Sequence, residues 1–337
     1  MASCCAAGVA APLPAYHVGY RSAVATRTRT FGAGNRESHD ASDFYARFTA
    51  PELSDDRTVN PCTAADSVIC GDARDMSQVD DNSVALVVTS PPYFAGKAYE
   101  TDLEAGHIPS NYLEYLTMLR DVFAECRRVL EPGGRMCVNV ANLGRKPYRS
   151  LAGDVTTILQ DELAMLLRGE VVWVKAKGAA GSCAFGSYMK ASNPVLRDLS
   201  ERVVIASKGR FDRAIPMKER AKLELPYESD ISKEEFLAST LDVWEIRPER
   251  AKRVNHPAPF PVELPERFIR LYTYVGDVVL DPFLGSGSSA VAAVRTGRHY
   301  VGYDLDPTYV AIAEGRIAEA RATLAETAET AGTVVAD

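Results

Sequence analysis

Long hydrophobic runs are missing from this 337-residue sequence, and none of its apolar stretches approaches the ~18 residues that a membrane-spanning helix needs. CxxC pairs are missing as well, and none of the seven cysteines lies in a cluster with histidine of the kind that binds a metal. We therefore expect a soluble cytoplasmic protein that binds no metal and whose thiols are reduced and mostly buried.

An excess of positive charge is also missing, because the formal net charge is −7. This balance argues against a protein that is coated uniformly with basic residues for binding nucleic acid. The charge is unevenly distributed, however, since the segment 190–222 carries nine basic and four acidic residues. Such a local excess is typical either of a phosphate-binding face or of an ordinary solvated surface, and the sequence leaves both interpretations open.

The N-terminal 57 residues differ in composition from the rest of the chain. Residues 1–40 are rich in Ala, Ser, Thr and Arg, have no acidic residue before Glu37 and show no sustained period. We expect an N-terminal extension that is disordered in part. The same composition is typical of a transit peptide, so organellar targeting stays an alternative to a cytoplasmic location.

From residue 60 onward, short runs rich in β-branched residues alternate with longer segments of helical pattern. Several of the runs are continuous Val/Ile/Leu stretches, which indicates strands that are buried on both faces of a mostly parallel sheet. The predicted strands are 67–72, 84–90, 134–140, 170–176, 202–208, 277–282 and 299–304, and the predicted helices are 110–130, 153–168, 261–274, 288–296 and 307–325. This alternation predicts an α/β fold with an open, doubly wound sheet, which residues 210–255 interrupt as a small inserted region.

The segment VVLDPFLGSGSSAVAAVRTG, residues 278–297, reads as a strand, a glycine-rich loop and a helix. Gly285 and Gly287 permit a tight turn and the close approach of a ligand to the backbone, and the amides that open the following helix suit a carboxylate or phosphate. Asp304 ends the next predicted strand, nineteen positions after Gly285, which is the spacing at which a carboxylate binds ribose hydroxyls. Because the third glycine of the dinucleotide motif is missing, S-adenosylmethionine (AdoMet), with its single carboxylate, fits this loop better than NAD.

The run VVTSPPYFAG, residues 87–96, ends a predicted strand with two adjacent prolines and an aromatic ring. Taken alone, SPPY is typical of a turn at the end of a strand. Taken together and in this order, the motifs CGD (70–72), TSPPY (89–93), HPAPFP (256–261), DPFLGSG (281–287) and VGYD (301–304) resemble the amino-methylating DNA methyltransferases of the beta class. The resemblance covers roughly residues 65–320.

The resemblance implies a Rossmann-like, AdoMet-dependent methyltransferase fold in which the order of the motifs is circularly permuted. Its sheet would be mostly parallel and doubly wound, with a small inserted target-recognition region. The implied organisation is an N-terminal extension (1–57), a catalytic half (58–208), the target-recognition region (209–255), an AdoMet-binding half (256–325) and a flexible tail (326–337).

The resemblance also implies catalytic roles for the residues of the SPPY motif. Ser90 Oγ and the carbonyl of Pro91 would accept hydrogen bonds from an exocyclic amine, and Pro92 would help to hold the motif rigid. Tyr93 would stack on a base that is extruded from the duplex. No covalent intermediate is required, so the cysteines need no catalytic role.

AdoMet is the implied cofactor. By the same resemblance, Asp304 would bind its ribose and Asp72 would lie near the adenine or the ribose edge. The other implied contacts come from the glycine-rich loop and from the segment that leads to it, namely Asp281, Pro282, Phe283, Gly285, Ser286, Gly287 and His256. Phe260 stands where many relatives have a lysine, which leaves the role of that segment open.

The implied substrate is a base in double-stranded DNA. Serine at the first position of SPPY is more typical of cytosine-N4 enzymes, which makes cytosine N4 the favoured target and adenine N6 the alternative. Methylation of RNA or of a protein amide is a more remote alternative, and a non-catalytic DNA-binding module is another.

Candidate DNA contacts lie in three places. The segment 186–204 carries Tyr188, Lys190, Asn193 and Arg197, and the motif FYARF supplies Arg47 between aromatic residues. The segment 142–150 adds further basic residues. The resemblance further implies a nucleoid-associated bacterial protein, monomeric or homodimeric, with a cognate restriction endonuclease as a second partner.

Overall fold

Strands and helices alternate along the described chain, as the pattern of apolar runs predicts. The computed structural model describes residues 53–92, 111–142, 148–175, 186–196, 199–248 and 260–334. These residues belong to one unit of the chain, Pro51–Asp337. Among them, no helix is both long enough and apolar enough to cross a membrane.

A single sheet of eight strands runs through the described residues. In chain order the strands are β1 (Ser67–Cys70), β2 (Val84–Thr89), β3 (Leu130–Val140), β4 (Leu166–Val174), β5 (Ser200–Ser207), β6 (Val243–Glu245), β7 (Val278–Asp281) and β8 (His299–Asp304). Their order in the sheet is β1-β8-β7-β2-β3-β5-β4-β6. Within this sheet β5 alone runs antiparallel to its neighbours. The mostly parallel α/β sheet predicted from the sequence is thereby confirmed.

Helices cover both faces of the sheet. They are α1 (Tyr112–Val129), α2 (Leu151–Thr157, continued by a π-helical turn at Ile158–Glu162), α3 (Met217–Arg220), α4 (Lys233–Ser239), α5 (Glu263–Tyr272), α6 (Ser288–Arg295) and α7 (Pro307–Val334). Helices α1 and α2 pack on one face, in a core that includes Val87 and Leu280. Helices α5, α6 and α7 pack on the other face, against Leu86 and Val279. Neighbouring residues of one strand thus point into opposite cores, which explains the continuous apolar runs.

The central strands β7 and β2 form the switch point of this doubly wound sheet. From β7 the chain passes through α6 to β8 on one side, and from β2 it passes through α1 to β3 on the other. In such sheets, ligands bind where the two connections diverge, beyond the carboxyl ends of the strands. We call this side of the sheet, where β1, β8, β7, β2 and β3 end, the carboxyl edge.

Several boundaries differ from the sequence-based prediction. Strand β3 begins at Leu130, directly after helix α1. It therefore includes the EPGG sequence, residues 131–134. Gly133 has φ +82°, and a Cβ there would overlap the Asp212 carbonyl oxygen, so the glycine allows a close approach of two segments. The helix predicted over 153–168 ends early, because β4 already begins at Leu166.

The region 210–255, expected as a small insertion, contributes a strand to the sheet. Within it, β6 pairs in parallel with β4 at the end of the sheet, with Val243 opposite Val172. The three residues of β6 are bounded by polar turns and give too short a pattern to predict a strand. The last helix, α7, extends to Val334, beyond the predicted end at residue 325.

Candidate active site

The two principal motifs meet at the switch point through the buried carboxylate of Asp281. Thr89 Oγ1 donates to Asp281 Oδ1 over 2.6 Å, and the backbone amide of Phe283 donates to the same oxygen over 3.1 Å. The hydroxyl of Ser289 donates to Oδ2. Burial raises the pKa of Asp281 to about 6, although these three donors act in the opposite direction. Asp281 therefore ties the strand that leads to Ser90 to the glycine-rich loop.

The glycine-rich loop depends on Gly287, which has φ +83° and forms the N-cap of α6. A Cβ at this position would lie 2.9 Å from the Cβ of Ala313 on α7, so glycine is required both by the backbone conformation and by the packing. Arg316, also on α7, supports the loop from behind, because its Nη1 donates to the Ser286 carbonyl oxygen over 2.5 Å and to its hydroxyl over 3.0 Å. The predicted strand, loop and helix are all present.

Asp304 ends β8 beside this loop, with its carboxylate oriented by the backbone. Its Oδ2 accepts from the Gly285 amide over 2.8 Å and its Oδ1 accepts from the Asp306 amide over 2.9 Å. Burial raises the pKa of Asp304. A carboxylate has about four acceptor positions, and these two amides take two of them, so its chemistry suits a ligand that brings hydroxyl groups.

Asp72 lies at the same edge, one strand further out. Cys70 and Asp304 are partners in the pairing of β1 with β8, so the turn after β1 lies beside the end of β8. The carboxylate of Asp72 is held by Arg74, whose Nε lies 3.0 Å and 2.9 Å from its two oxygens. The structure therefore brings Asp72 next to Asp304 and gives it a basic partner that the sequence analysis did not include.

The SPPY motif begins at the carboxyl end of β2. Ser90 is half-buried, Pro91 is buried and Pro92 is half-buried. The hydroxyl of Tyr115, on α1, donates to the Pro92 carbonyl oxygen over 2.5 Å and so anchors the second proline. Tyr93 lies outside the described residues.

Ser90 also contacts a polar chain of residues that sequence reasoning missed. Asn139 Nδ2 lies 3.3 Å from Ser90 Oγ and donates to Glu201 Oε2 over 2.6 Å. Lys175 Nζ donates to Glu201 Oε1 over 2.7 Å. Asn139 and Glu201 are polar residues in the buried strands β3 and β5, and that contrast with their apolar neighbours was the signal available in the sequence.

The candidate DNA contacts are divided between described and undescribed residues. The segment 186–196 lies between the end of β4 and the start of β5, and so at the carboxyl edge; the bridge between Gly186 and Pro194 closes it into a loop. The side chain of Tyr188 is 70% exposed there, and Lys190 and Asn193 are exposed as well. Arg47, Arg197 and His256 lie outside the described residues.

Two arginines of the basic segment 190–222 are buried, so they do not belong to the phosphate-binding face that was one of its two interpretations. Arg213 and Arg220 are buried and make ion pairs with Glu131 and Asp277. Their guanidinium groups also lie over the Tyr274 ring, at 5.3 Å and 5.2 Å. Because these acids precede or begin strands β7 and β3, the cluster lies at the edge of the sheet opposite Ser90.

No group of three or more His, Cys, Asp or Glu side chains in the described residues is arranged to hold a metal ion. The four described cysteines are free thiols, of which Cys126 and Cys137 are buried. Burial raises the pKa of both, so they stay protonated and unreactive.

Comparison with known proteins agrees with this site. The family model described as DNA methylase, of the N6/N4 methyltransferase type, matches residues 84–315. The type II methyltransferase M.MjaI of Methanocaldococcus jannaschii is 30% identical over an alignment of 284 residues, and the match covers 76% of this chain and 92% of the relative.

Solved structures show the same fold. TTHA0409 of Thermus thermophilus, in complex with S-adenosyl-L-methionine, is 29% identical with a TM-score of 0.56, and the match covers 75% of this chain and 95% of that one. The cytosine-N4-specific PvuII DNA methyltransferase has a TM-score of 0.57 at 23% identity, and the match covers 77% of this chain and 90% of that one.

Proposed function

Because this chain belongs to the DNA methylase family of N6/N4 methyltransferases, and is therefore an AdoMet-dependent DNA methyltransferase, we propose that it methylates the N4 amine of cytosine in double-stranded DNA. The observation that supports this most directly is the position of Ser90. Its strand β2 neighbours β7, and the Thr89–Asp281 hydrogen bond joins the SPPY motif to the glycine-rich loop at the switch point.

The residues at the carboxyl edge fit AdoMet. Asp304, oriented by two backbone amides, is proposed to accept the ribose hydroxyls, with Asp72 beside it. The loop from Pro282 to Gly287, which includes Phe283 and Ser286, is proposed to lie against the methionine moiety. When bound, AdoMet supplies an electrophilic methyl group on its sulfonium.

The reaction requires the protein to make a poor nucleophile attack that methyl group. The lone pair of an exocyclic amine is delocalised into the base, and hydrogen bonds to acceptors favour the tetrahedral nitrogen that can attack. We assign these acceptors to Ser90 Oγ and the Pro91 carbonyl oxygen, which prolines of fixed φ hold in place before the base arrives. Alignment of amine and methyl group provides the remaining acceleration.

Serine favours cytosine N4 over adenine N6 because its hydroxyl is neutral and can donate as well as accept. The amine of adenine offers the same two hydrogens to the same acceptors, so adenine N6 is the second candidate. The family includes both reactions, which keeps this alternative in the test below.

DNA is proposed to approach the carboxyl edge and to contact the loop 186–196. Tyr188 and Met189 are 70% and 88% exposed at its tip, next to the exposed Lys190, an arrangement that suits stacking combined with a phosphate contact. The first part of the region 209–255 is a weaker candidate, because residues 209–225 pack at the opposite edge, where the Ala214 amide donates to the Pro132 carbonyl.

The decisive experiment is incubation with labelled AdoMet and unmethylated bacterial genomic DNA, followed by mass spectrometry of the nucleosides. We expect N4-methylcytosine. N6-methyladenine alone would overturn the cytosine proposal, and label only in RNA or protein would overturn the DNA substrate. Ser90→Ala should lower kcat by about tenfold or more with nearly unchanged AdoMet affinity, whereas the exposed Ser229→Ala should leave both unchanged.

A further inference from the structure

A chain of three polar side chains leads from the interior of the sheet to Ser90. Lys175 contacts Glu201, Glu201 contacts Asn139, and Asn139 contacts Ser90 Oγ, over 2.7, 2.6 and 3.3 Å respectively. The chain runs from Lys175, which directly follows β4, across the antiparallel strand β5 to β3, so its members come from three neighbouring segments of the sheet. Asn139 and Glu201 are only 3% and 7% exposed.

The chemistry of Glu201 determines how the amide of Asn139 is oriented. An ionised carboxylate only accepts hydrogen bonds, so the NH₂ end of the Asn139 amide must face it. The same nitrogen then presents its other hydrogen toward Ser90 Oγ. The contact with Ser90 is at the long end of the hydrogen-bond range, but its direction is fixed: Asn139 donates and Ser90 accepts.

We propose that Glu201 and Asn139 are positioning residues for the hydroxyl of Ser90. Because Asn139 donates to Ser90 Oγ, the hydroxyl hydrogen points away from Asn139, and the serine is held in one rotational state. Lys175 contributes by pairing with the carboxylate of Glu201 inside the sheet, where an unpaired carboxylate would be costly. This inference rests on the proposed role of Ser90 as an acceptor for the target amine, and it holds for cytosine and adenine alike.

The first test replaces the carboxylate by an amide. In Glu201→Gln, residue 201 can donate as well as accept, so the orientation of Asn139 is no longer fixed. We expect kcat at saturating AdoMet and DNA to fall by about tenfold or more, since small misplacements of a reacting group have effects of this size. The dissociation constant for AdoMet and the Tm should not change. Glu170→Gln is the matched control, because Glu170 is exposed on the adjacent strand and pairs with Arg202 over 3.7 Å.

The second test separates positioning from stability. The double variant Asn139→Asp/Glu201→Gln exchanges donor and acceptor, so that the amide of residue 201 donates to the carboxylate of residue 139. The hydrogen bond between the two strands is restored, but no N–H faces Ser90. We expect a Tm close to that of the wild type together with a kcat as low as in Glu201→Gln.

Recovery of kcat in the double variant would overturn the proposal, because the hydrogen bond between the two strands would then be sufficient without an N–H that faces Ser90. Unchanged kcat in Glu201→Gln would overturn it as well. The identity of the methylated nucleoside is read separately in the wild type. N6-methyladenine there would refute the cytosine assignment, while the comparison of kcat values would still decide the role of Glu201.

Discussion

The buried carboxyl group of Asp281 should make the stability of the protein depend on pH in a direction unusual for an aspartate. Burial raises its pKa from the ordinary 3.8 to about 6. Because the folded-state value is the higher one, the folded state binds the proton more tightly than the unfolded state. The contribution of this proton binding to the unfolding free energy is fully present below pH 3.8 and is lost as the pH rises through 6.

The size of the effect follows from the shift. About two pKa units correspond to about 3 kcal/mol of unfolding free energy in total, of which about 2 kcal/mol is lost between pH 4.5 and 7.5. Asp281→Asn has no titrating group at this position. Thr89 and Ser289 can still hydrogen-bond to the asparagine side chain, because their hydroxyls can donate or accept.

The measurement is urea unfolding of the wild type and of Asp281→Asn across this pH range, without AdoMet, because a bound ligand would add its own contribution. Carboxyl groups that do not interact with Asp281 titrate equally in both proteins and cancel in the difference. We expect the unfolding free energy of the wild type, relative to the variant, to decrease by about 2 kcal/mol from pH 4.5 to 7.5. A constant difference, or one that increases with pH, would refute the reasoning.

Three further predictions concern packing, two around the site and one at the opposite edge of the sheet. Gly287→Ala should weaken AdoMet binding in calorimetry, and the second substitution Ala313→Gly should restore part of the affinity. The part that is not restored corresponds to about 1 kcal/mol of backbone strain at residue 287. No recovery of affinity in the double variant would contradict the steric explanation. Tyr115→Phe removes the donor to the second proline of SPPY and should lower kcat without changing AdoMet affinity; unchanged kcat in steady-state assays would count against this anchor. Arg220→Met should lower the unfolding free energy by about 3 kcal/mol in denaturant titrations, because it removes one of the two guanidinium groups that pair with the buried acids Glu131 and Asp277. Arg202→Met, at an exposed side chain, is the control for Arg220→Met and should change the unfolding free energy by less than about 1 kcal/mol.

Local sequence patterns were sufficient for the elements that form the centre of the site. Six buried residues in succession identify β2, and the glycines followed by Asp304 identify the loop between β7 and β8. Both patterns depend on residues that are close in sequence, so composition and spacing alone carry them. The family membership that these motifs indicated is confirmed by the comparisons.

The polar chain behind Ser90 could not be predicted in the same way. Asn139 and Glu201 meet because β3 and β5 are neighbours in the sheet, and no local pattern specifies that pairing. The same limitation applies to the basic segment. Arg213 is a charged residue of the kind usually found at the surface. In the fold, however, it is buried beside its ion-pair partner Glu131, which lies 82 positions away in the sequence.

The hydrogen bond between Thr89 and Asp281 joins residues that are 192 positions apart. A ribosome that adds 5–20 residues per second needs roughly 10–40 s to synthesise that interval. During most of this time SPPY has left the ribosome, while strand β7, the neighbour of its strand β2, has not yet been synthesised. A nascent chain therefore cannot assemble its methyl-transfer site until most of its length has been translated. Any fragment that ends before β7 should be inactive, however well its first strands have formed.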